Sequence, residues 1–286
     1  MRSALAIGVA AALVATAAAG SSPSVRGSTG SPRTDSPVAN VEPVAMRPRI
    51  DLHGRVVLDD FCTRTGIPAV VFDHWRHRAM YTCRVCHVDL GFALGAGETE
   101  ITAESNEAGA HCGACHDGRK THEGRPIFRA CSGWPRPDET RGCTRCHTGG
   151  DDDPRRAYAA LARTLPTDAA GDIHWSAAVQ RGVIEPLDEV EGVPVHGPTM
   201  KIDRNVTIRA KGTWLNNVTF SHRNHAVLNG CELCHPEIFP VTARNATRFR
   251  MDDVTAGQYC GVCHRNVAFP LDQCQRCHAA ERKPMR

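Results

Sequence analysis

The chain has 286 residues, of which 5% are aromatic and 41% hydrophobic, thin material for one large packed core. Its 34 Lys and Arg stand against 31 Asp and Glu, which excludes a polybasic nucleic-acid arm, and a mean hydropathy of -0.33 excludes a polytopic membrane protein. The unusual totals are 14 cysteines and 15 histidines.

Residues 1–20 read as a secretory signal: Arg2 precedes the apolar run 4–19, and Ala17-Ala18-Ala19 before Gly20 has the small-residue form of a cleavage site. The run is Ala-rich and falls short of the roughly 20 strongly apolar residues of a membrane span. No cysteine lies near the cleavage point, so a lipoprotein is not expected. The expected location is the periplasm or the cell exterior, where cysteines are in disulfides or otherwise covalently used. Residues 21–49, rich in Ser, Pro and Gly, read as a flexible leader.

Residues 50–150 form a first module. It opens with an expected strand at Arg55–Leu58, then Phe72-x-His74-x-x-His77, then three Cys-x-x-Cys-His motifs: Cys83/Cys86/His87, Cys112/Cys115/His116 and Cys143/Cys146/His147. Residues 151–198 read as a helical linker. Asp153-Pro154 before an Ala-rich run predicts a helix over 154–164, and a second is expected over 172–182, with His174 and Trp175 in its first turn and Arg181-Gly182 as its stop. Residues 199–286 form a second module. It is expected to open with a β-hairpin over 199–208 around Asp203-Arg204-Asn205. Phe220-x-His222-x-x-His225 and three further motifs follow: Cys231/Cys234/His235, Cys260/Cys263/His264 and Cys274/Cys277/His278.

These motifs use 12 of the 14 cysteines, and at this chain's Cys and His frequencies about 0.04 would arise by chance, so they specify c-type haem attachment. Two thiols three positions apart add to the two vinyl groups of one porphyrin, and the adjacent histidine is held under the iron as proximal ligand. Structural zinc would leave the six following histidines unexplained, a disulfide framework needs no histidine, and thioredoxin-like pairs need a βαβ context that is absent. Six covalent haems would supply the apolar volume that units of this size lack.

The two modules are a tandem repeat. Both Phe-x-His-x-x-His segments stand five residues before their first motif at an offset of 148, and the first two motifs are 29 residues apart in each module, with Gly109 and Gly257 matching and a Cys-Gly-x-Cys-His form in the second motif. They diverge afterwards: 26 residues separate His116 from Cys143 but nine separate His264 from Cys274, a 17-residue insertion in module one that contains Cys131.

Phe-x-His-x-x-His followed by three such motifs resembles the triheme cytochrome c7 family, a relative of cytochrome c3, over residues 70–147 and 218–278. The resemblance implies a mainly irregular class III fold of short α-helices and small β-hairpins, and bis-histidine iron. It pairs His74 with His87, His77 with His116, His222 with His235 and His225 with His264. The family's usual sixth ligand for the third haem falls on Ala108 and Ala256, so the His147 and His278 haems need another. The candidates are His53, His174, His196 and, in module two, Met251, whose repeat partner is Ala103. His111 and His122 complete the unassigned histidines. Cys62 and Cys131 remain, and a disulfide between them is the simplest expectation in an oxidising compartment.

The expected function is a secreted hexahaem c-type cytochrome, with heme c and iron as cofactors, carrying electrons rather than acting as an enzyme. Expected partners are other redox proteins (cytochromes, quinol-linked membrane complexes) or an extracellular acceptor, with no nucleic acid. The chain could also be a subunit of a membrane-associated or extracellular electron conduit. The rival expectation is a multihaem reductase of nitrite or hydroxylamine, using an open iron at His147 or His278. Without Arg2 the polypeptide balance is +2, and haem propionates would make the reduced holoprotein negative.

Overall fold

The computed structural model describes residues 53–59, 61–131, 143–150, 153–169, 171–195, 202–211, 215–240 and 249–279. The chain divides into two units, Met1–Ala45 and Met46–Arg286, and every described residue belongs to the second. The secretory signal, the leader and His196 therefore lie outside the described residues.

Short helices and two-stranded antiparallel sheets alternate with irregular chain. β1 (Arg55–Leu58) is the expected strand and pairs with β2 (Val70–Asp73), Val56 lying opposite Phe72. β2 runs directly into α1 (His74–Arg78), which carries both histidines of the first Phe-x-His-x-x-His. In the second module the expected hairpin over 199–208 is corrected over its described part, residues 199–201 lying outside the described residues. Asn205–Ile208 is a single strand, and its partner is Val218–Ser221, with Val206 opposite Phe220. The strand pattern was legible but not its partner, because period-2 alternation carries no record of what lies across the ladder. Val218–Ser221 runs straight into α2 (His222–Asn229), whose first turn is capped by the Ser221 side chain accepting from Asn224 N. The two hairpins thus present their histidine helices in the same way.

The intermodule stretch holds a helix at Arg155–Ala162, two residues shorter at its end than expected, and another at Trp175–Gln180. Gly182, at φ +66°, follows the second helix as the expected stop. Leu165, Ile173 and Ala178 form the buried cluster there, with Tyr158, Leu161 and Trp175 packed against it. The stretch is bonded to both modules. Leu187 N donates to Met80 O at 2.8 Å and Thr82 Oγ1 to Asp188 at 2.7 Å on one side, while Asp168 and Asp172 each reach Arg276 at 2.5 Å on the other.

No helix among the described residues is long and apolar enough to cross a membrane.

Candidate haem-ligand sites

Each Phe-x-His-x-x-His segment is organised by its phenylalanine. The Phe72 ring lies edge-on to His74 at 4.8 Å and stacks on His77 at 4.4 Å. Phe220 repeats this with His222 at 4.9 Å and His225 at 4.3 Å. The i, i+3 spacing puts the two histidines of each pair on neighbouring positions of one helical turn, and the aromatic ring fixes their angle.

Three histidine pairs face each other at nearly one spacing: His74 with His87 at 6.4 Å between ring centres, His77 with His116 at 6.3 Å, and His225 with His264 at 6.2 Å. Two imidazoles on opposite sides of one iron, with metal–nitrogen bonds of roughly 2 Å each, have ring centres about 6.3 Å apart. These pairs fit a bis-histidine haem and are too far apart for direct contact. His222 and His235 are not among the pairs at this spacing.

The unused ring nitrogen is also accounted for. Nδ1 bonds a backbone carbonyl in His74 (Gly54, 2.8 Å), His87 (Phe92, 2.9 Å), His116 (Phe128, 3.1 Å), His147 (Pro68, 2.7 Å) and His222 (Arg204, 3.2 Å). The same holds for His225 (Ser221, 2.8 Å), His235 (Phe239, 2.5 Å), His264 (Phe269, 3.1 Å) and His278 (Asn216, 2.8 Å). A carbonyl holds the proton on Nδ1 and leaves the Nε2 lone pair for a metal, which is how ligating histidines are oriented. Burial also keeps the rings neutral: it pulls His74, His77 and His264 down to about 4 and lowers His87, His116 and His225.

The remaining candidates are placed differently. His174 Nδ1 accepts from Ala177 N at 3.3 Å as a helix cap, which puts its proton on Nε2, the wrong tautomer for a ligand. Met251 is 49% exposed at the start of a surface helix. His53 has a buried Nε2 with no hydrogen-bond partner and lies within electrostatic reach of Asp172, Arg78, Asp272 and Arg276. His111 packs edge-on to Phe92, and His122 against Tyr81. No described histidine ring stands opposite His147 or His278 at the spacing of the three pairs.

The motif thiols are buried beside one another: burial pushes Cys86 and Cys234 up to about 12 and Cys112 and Cys263 up to about 11. Among the described residues no group of three or more His, Cys, Asp or Glu is gathered to hold a metal ion. The expected Cys62–Cys131 disulfide is corrected. The Cys62 thiol lies 3.7 Å from His147 Nδ1, Cys131 lies 3.7 Å from Asn106 Nδ2, and no disulfide is present among the described residues. Counting leftover cysteines could not reveal this, because each thiol meets a side chain from a distant part of the chain, 85 residues away for Cys62 and 25 for Cys131.

The Cys-Gly-x-Cys-His form has a packing reason. A Cβ at Gly113 would sit 1.8 Å from the Asn106 carbonyl oxygen, and one at Gly261 would sit 1.9 Å from that of Val254, its repeat equivalent. Each second motif is pressed onto the backbone of the preceding helix, with no room for a side chain.

The profile of the family described as cytochrome c7 and related cytochrome c matches residues 70–148 and 218–279. Among solved structures similar to the chain, a c7-type three-haem cytochrome domain is 30% identical, covering 29% of this chain and 99% of its own, at a TM-score of 0.24. The C-terminal hexahaem fragment of GSU1996 is 23% identical over 82% of this chain and 99% of its own, at a TM-score of 0.25. The dodecahaem cytochrome c GSU1996 is 21% identical over 76% of this chain and 72% of its own, at a TM-score of 0.24. No curated protein matches the chain.

Proposed function

Because the chain belongs to the cytochrome c7 and related cytochrome c family through both of its modules, we propose that it is a secreted hexahaem electron carrier working outside the cytoplasm. Its cofactor is covalently bound haem c with iron, which supplies one-electron chemistry between ferric and ferrous states. Twelve cysteines attach it through the six motifs, and His87, His116, His147, His235, His264 and His278 are the proximal ligands. His74, His77 and His225 are the sixth ligands of the His87, His116 and His264 haems, and His222 takes that role for His235 by the repeat.

The observation that carries this reading is the common 6.2–6.4 Å spacing of the three histidine pairs. A saturated bis-histidine iron exchanges electrons without binding a substrate, so the polypeptide's work is to hold ligands, exclude water and fix the order of the centres. Its partners on this reading are other redox proteins, either cytochromes or quinol-linked membrane complexes, or an extracellular acceptor. The purified holoprotein should carry six haems c per chain, be reduced reversibly, and show low-spin EPR signals for at least the four paired haems. A protein with fewer haems, or one whose paired haems bind cyanide, would overturn the reading.

A second reading, a multihaem reductase, is favoured by one observation: no described histidine faces His147 or His278. It predicts a high-spin fraction of one or two haems that binds nitrite or hydroxylamine, and turnover with a reduced donor.

A further inference from the structure

Arg84 is an unusual residue for its position. It lies between the two cysteines of the first motif, yet its side chain is only 1% exposed. Its Nη1 donates to both oxygens of Asp89 at 2.9 and 2.8 Å, its Nε donates to Asp188 Oδ1 at 3.2 Å, and Nη2 donates to the Asp188 carbonyl. Asp89 belongs to the turn carrying His87, whereas Asp188 belongs to the intermodule stretch. The outer face of Arg84 meets the second module. A Cβ at Gly230, the residue before Cys231, would stand 2.7 Å from Arg84 Cδ.

The same face continues beyond Arg84. Gly54 N donates to Asn266 O at 2.7 Å, and Arg78 Nη2 donates to Val267 O at 3.4 Å. Gly54 is the carbonyl partner of His74, and residues 266–267 follow directly on the fifth motif. The first motif is therefore laid against the fourth and fifth, and the thiols of Cys83, Cys234 and Cys263 lie within electrostatic reach of one another. Within the modules the second and third motifs are linked in the same way through Cys112 and Cys146, and the fifth and sixth through Cys260 and Cys277.

We propose that the two modules exchange electrons at one seam, where the first attachment motif meets the fourth and fifth, and that Arg84, clamped by Asp89 and Asp188, is the positioning residue that fixes its width. This rests on the electron-carrier reading and adds a route to it. Each crossing moves one electron, oxidising one ferrous centre to ferric and reducing one ferric centre to ferrous, with no bond made or broken. The attachment sites of His147 and His278 become the two outer ends of the path, where external partners would exchange electrons.

The test is NMR of the haem methyl groups in the holoprotein during stepwise oxidation, in the wild type and in Asp188→Asn, Arg84→Lys and Gly230→Ala. Oxidising the haems of motifs four and five should shift the methyl signals of the His87 haem and leave those of the His147 haem nearly unmoved. Asp188→Asn should lower the cross-seam shift by at least half while the shifts between the His87 and His116 haems stay as in the wild type. Arg84→Lys, which keeps the charge but loses the fork, should show an intermediate loss. Gly230→Ala, which presses a Cβ onto Arg84 Cδ from the side of the second module, should reproduce the loss with every charge of the ion cluster retained. A cross-module shift that falls on the His147 haem, or one indifferent to Asp188→Asn and Gly230→Ala, overturns the seam while leaving the carrier reading intact. A holoprotein that cannot be reduced reversibly would instead defeat the carrier reading itself.

Discussion

Replacing Arg84 with Met tests whether the ion cluster matters to the fold as well as to the seam. In the native chain Arg84 and Asp89 are 1% and 2% exposed and bonded at 2.8 Å. Opposite charges about 4 Å apart attract by about 4 kcal/mol at an effective dielectric near 20, and desolvation of the two groups cancels much of that. Removing the cation alone leaves the Asp89 carboxylate stranded, a loss of about 3–5 kcal/mol. Asp188 is 33% exposed, so water screens it and Asp188→Asn should cost about 1 kcal/mol or less. The double variant Arg84→Met with Asp89→Leu removes both charges and should return to within about 1 kcal/mol of the wild type. Urea denaturation of the holoprotein followed by circular dichroism gives all four values. If Arg84→Met costs no more than Asp188→Asn, or the double variant is as unstable as the single, the carboxylate is not buried against Arg84 as described and the reasoning fails.

Acidification gives a second expectation. Burial holds His74, His77 and His264 at about 4 in the folded chain against 6.5 when exposed, so between these values the unfolded chain binds more protons. Stability should be flat above neutrality and fall as pH drops from 6.5 towards 4, and iron ligation acts in the same direction; urea midpoints across this range check the sign, and a stability that rises on acidification would refute it. Gly261→Ala should cost about 3 kcal/mol and reduce haem attachment at Cys260/Cys263, read by mass spectrometry, because the Val254 carbonyl occupies the space. Gly113→Ala should do the same at Cys112/Cys115. Replacing His225 with Met should raise one midpoint potential in a redox titration and leave the rest in place, since a Met/His iron is easier to reduce than a bis-histidine one.

Much of the haem-binding pattern was legible because covalent chemistry fixes spacing. The six motifs, the 148-residue repeat and both histidine pairs could be read from the chain, and the Arg55–Leu58 strand was found where the correspondence with the second module put it. Three kinds of information were not legible. The partner of Asn205–Ile208 is a strand already occupied by the Phe220 motif, and local pattern says nothing of pairing at a distance. The fate of Cys62 depends on the return of the third motif, where Val71 N meets Cys146 O at 3.0 Å, a long-range contact invisible in spacing. The ring nitrogen that each histidine offers is set by backbone carbonyls from other turns, and no side-chain motif encodes a carbonyl.

The places where the two repeats disagree follow the same logic. Trp75, Arg78 and Arg84 of module one correspond to Arg223, Ala226 and Glu232 of module two. Trp75 packs on Tyr158, Arg78 lies over Trp175 and Arg84 binds Asp188, so all three face the intermodule stretch. The phenylalanines and paired histidines are kept, and so are Gly113 and Gly261, since each haem site asks the same of both modules. At these three positions module one carries side chains that reach the linker and module two carries others, so the contacts that hold the intermodule stretch are written into one half of the repeat and the two halves are not interchangeable.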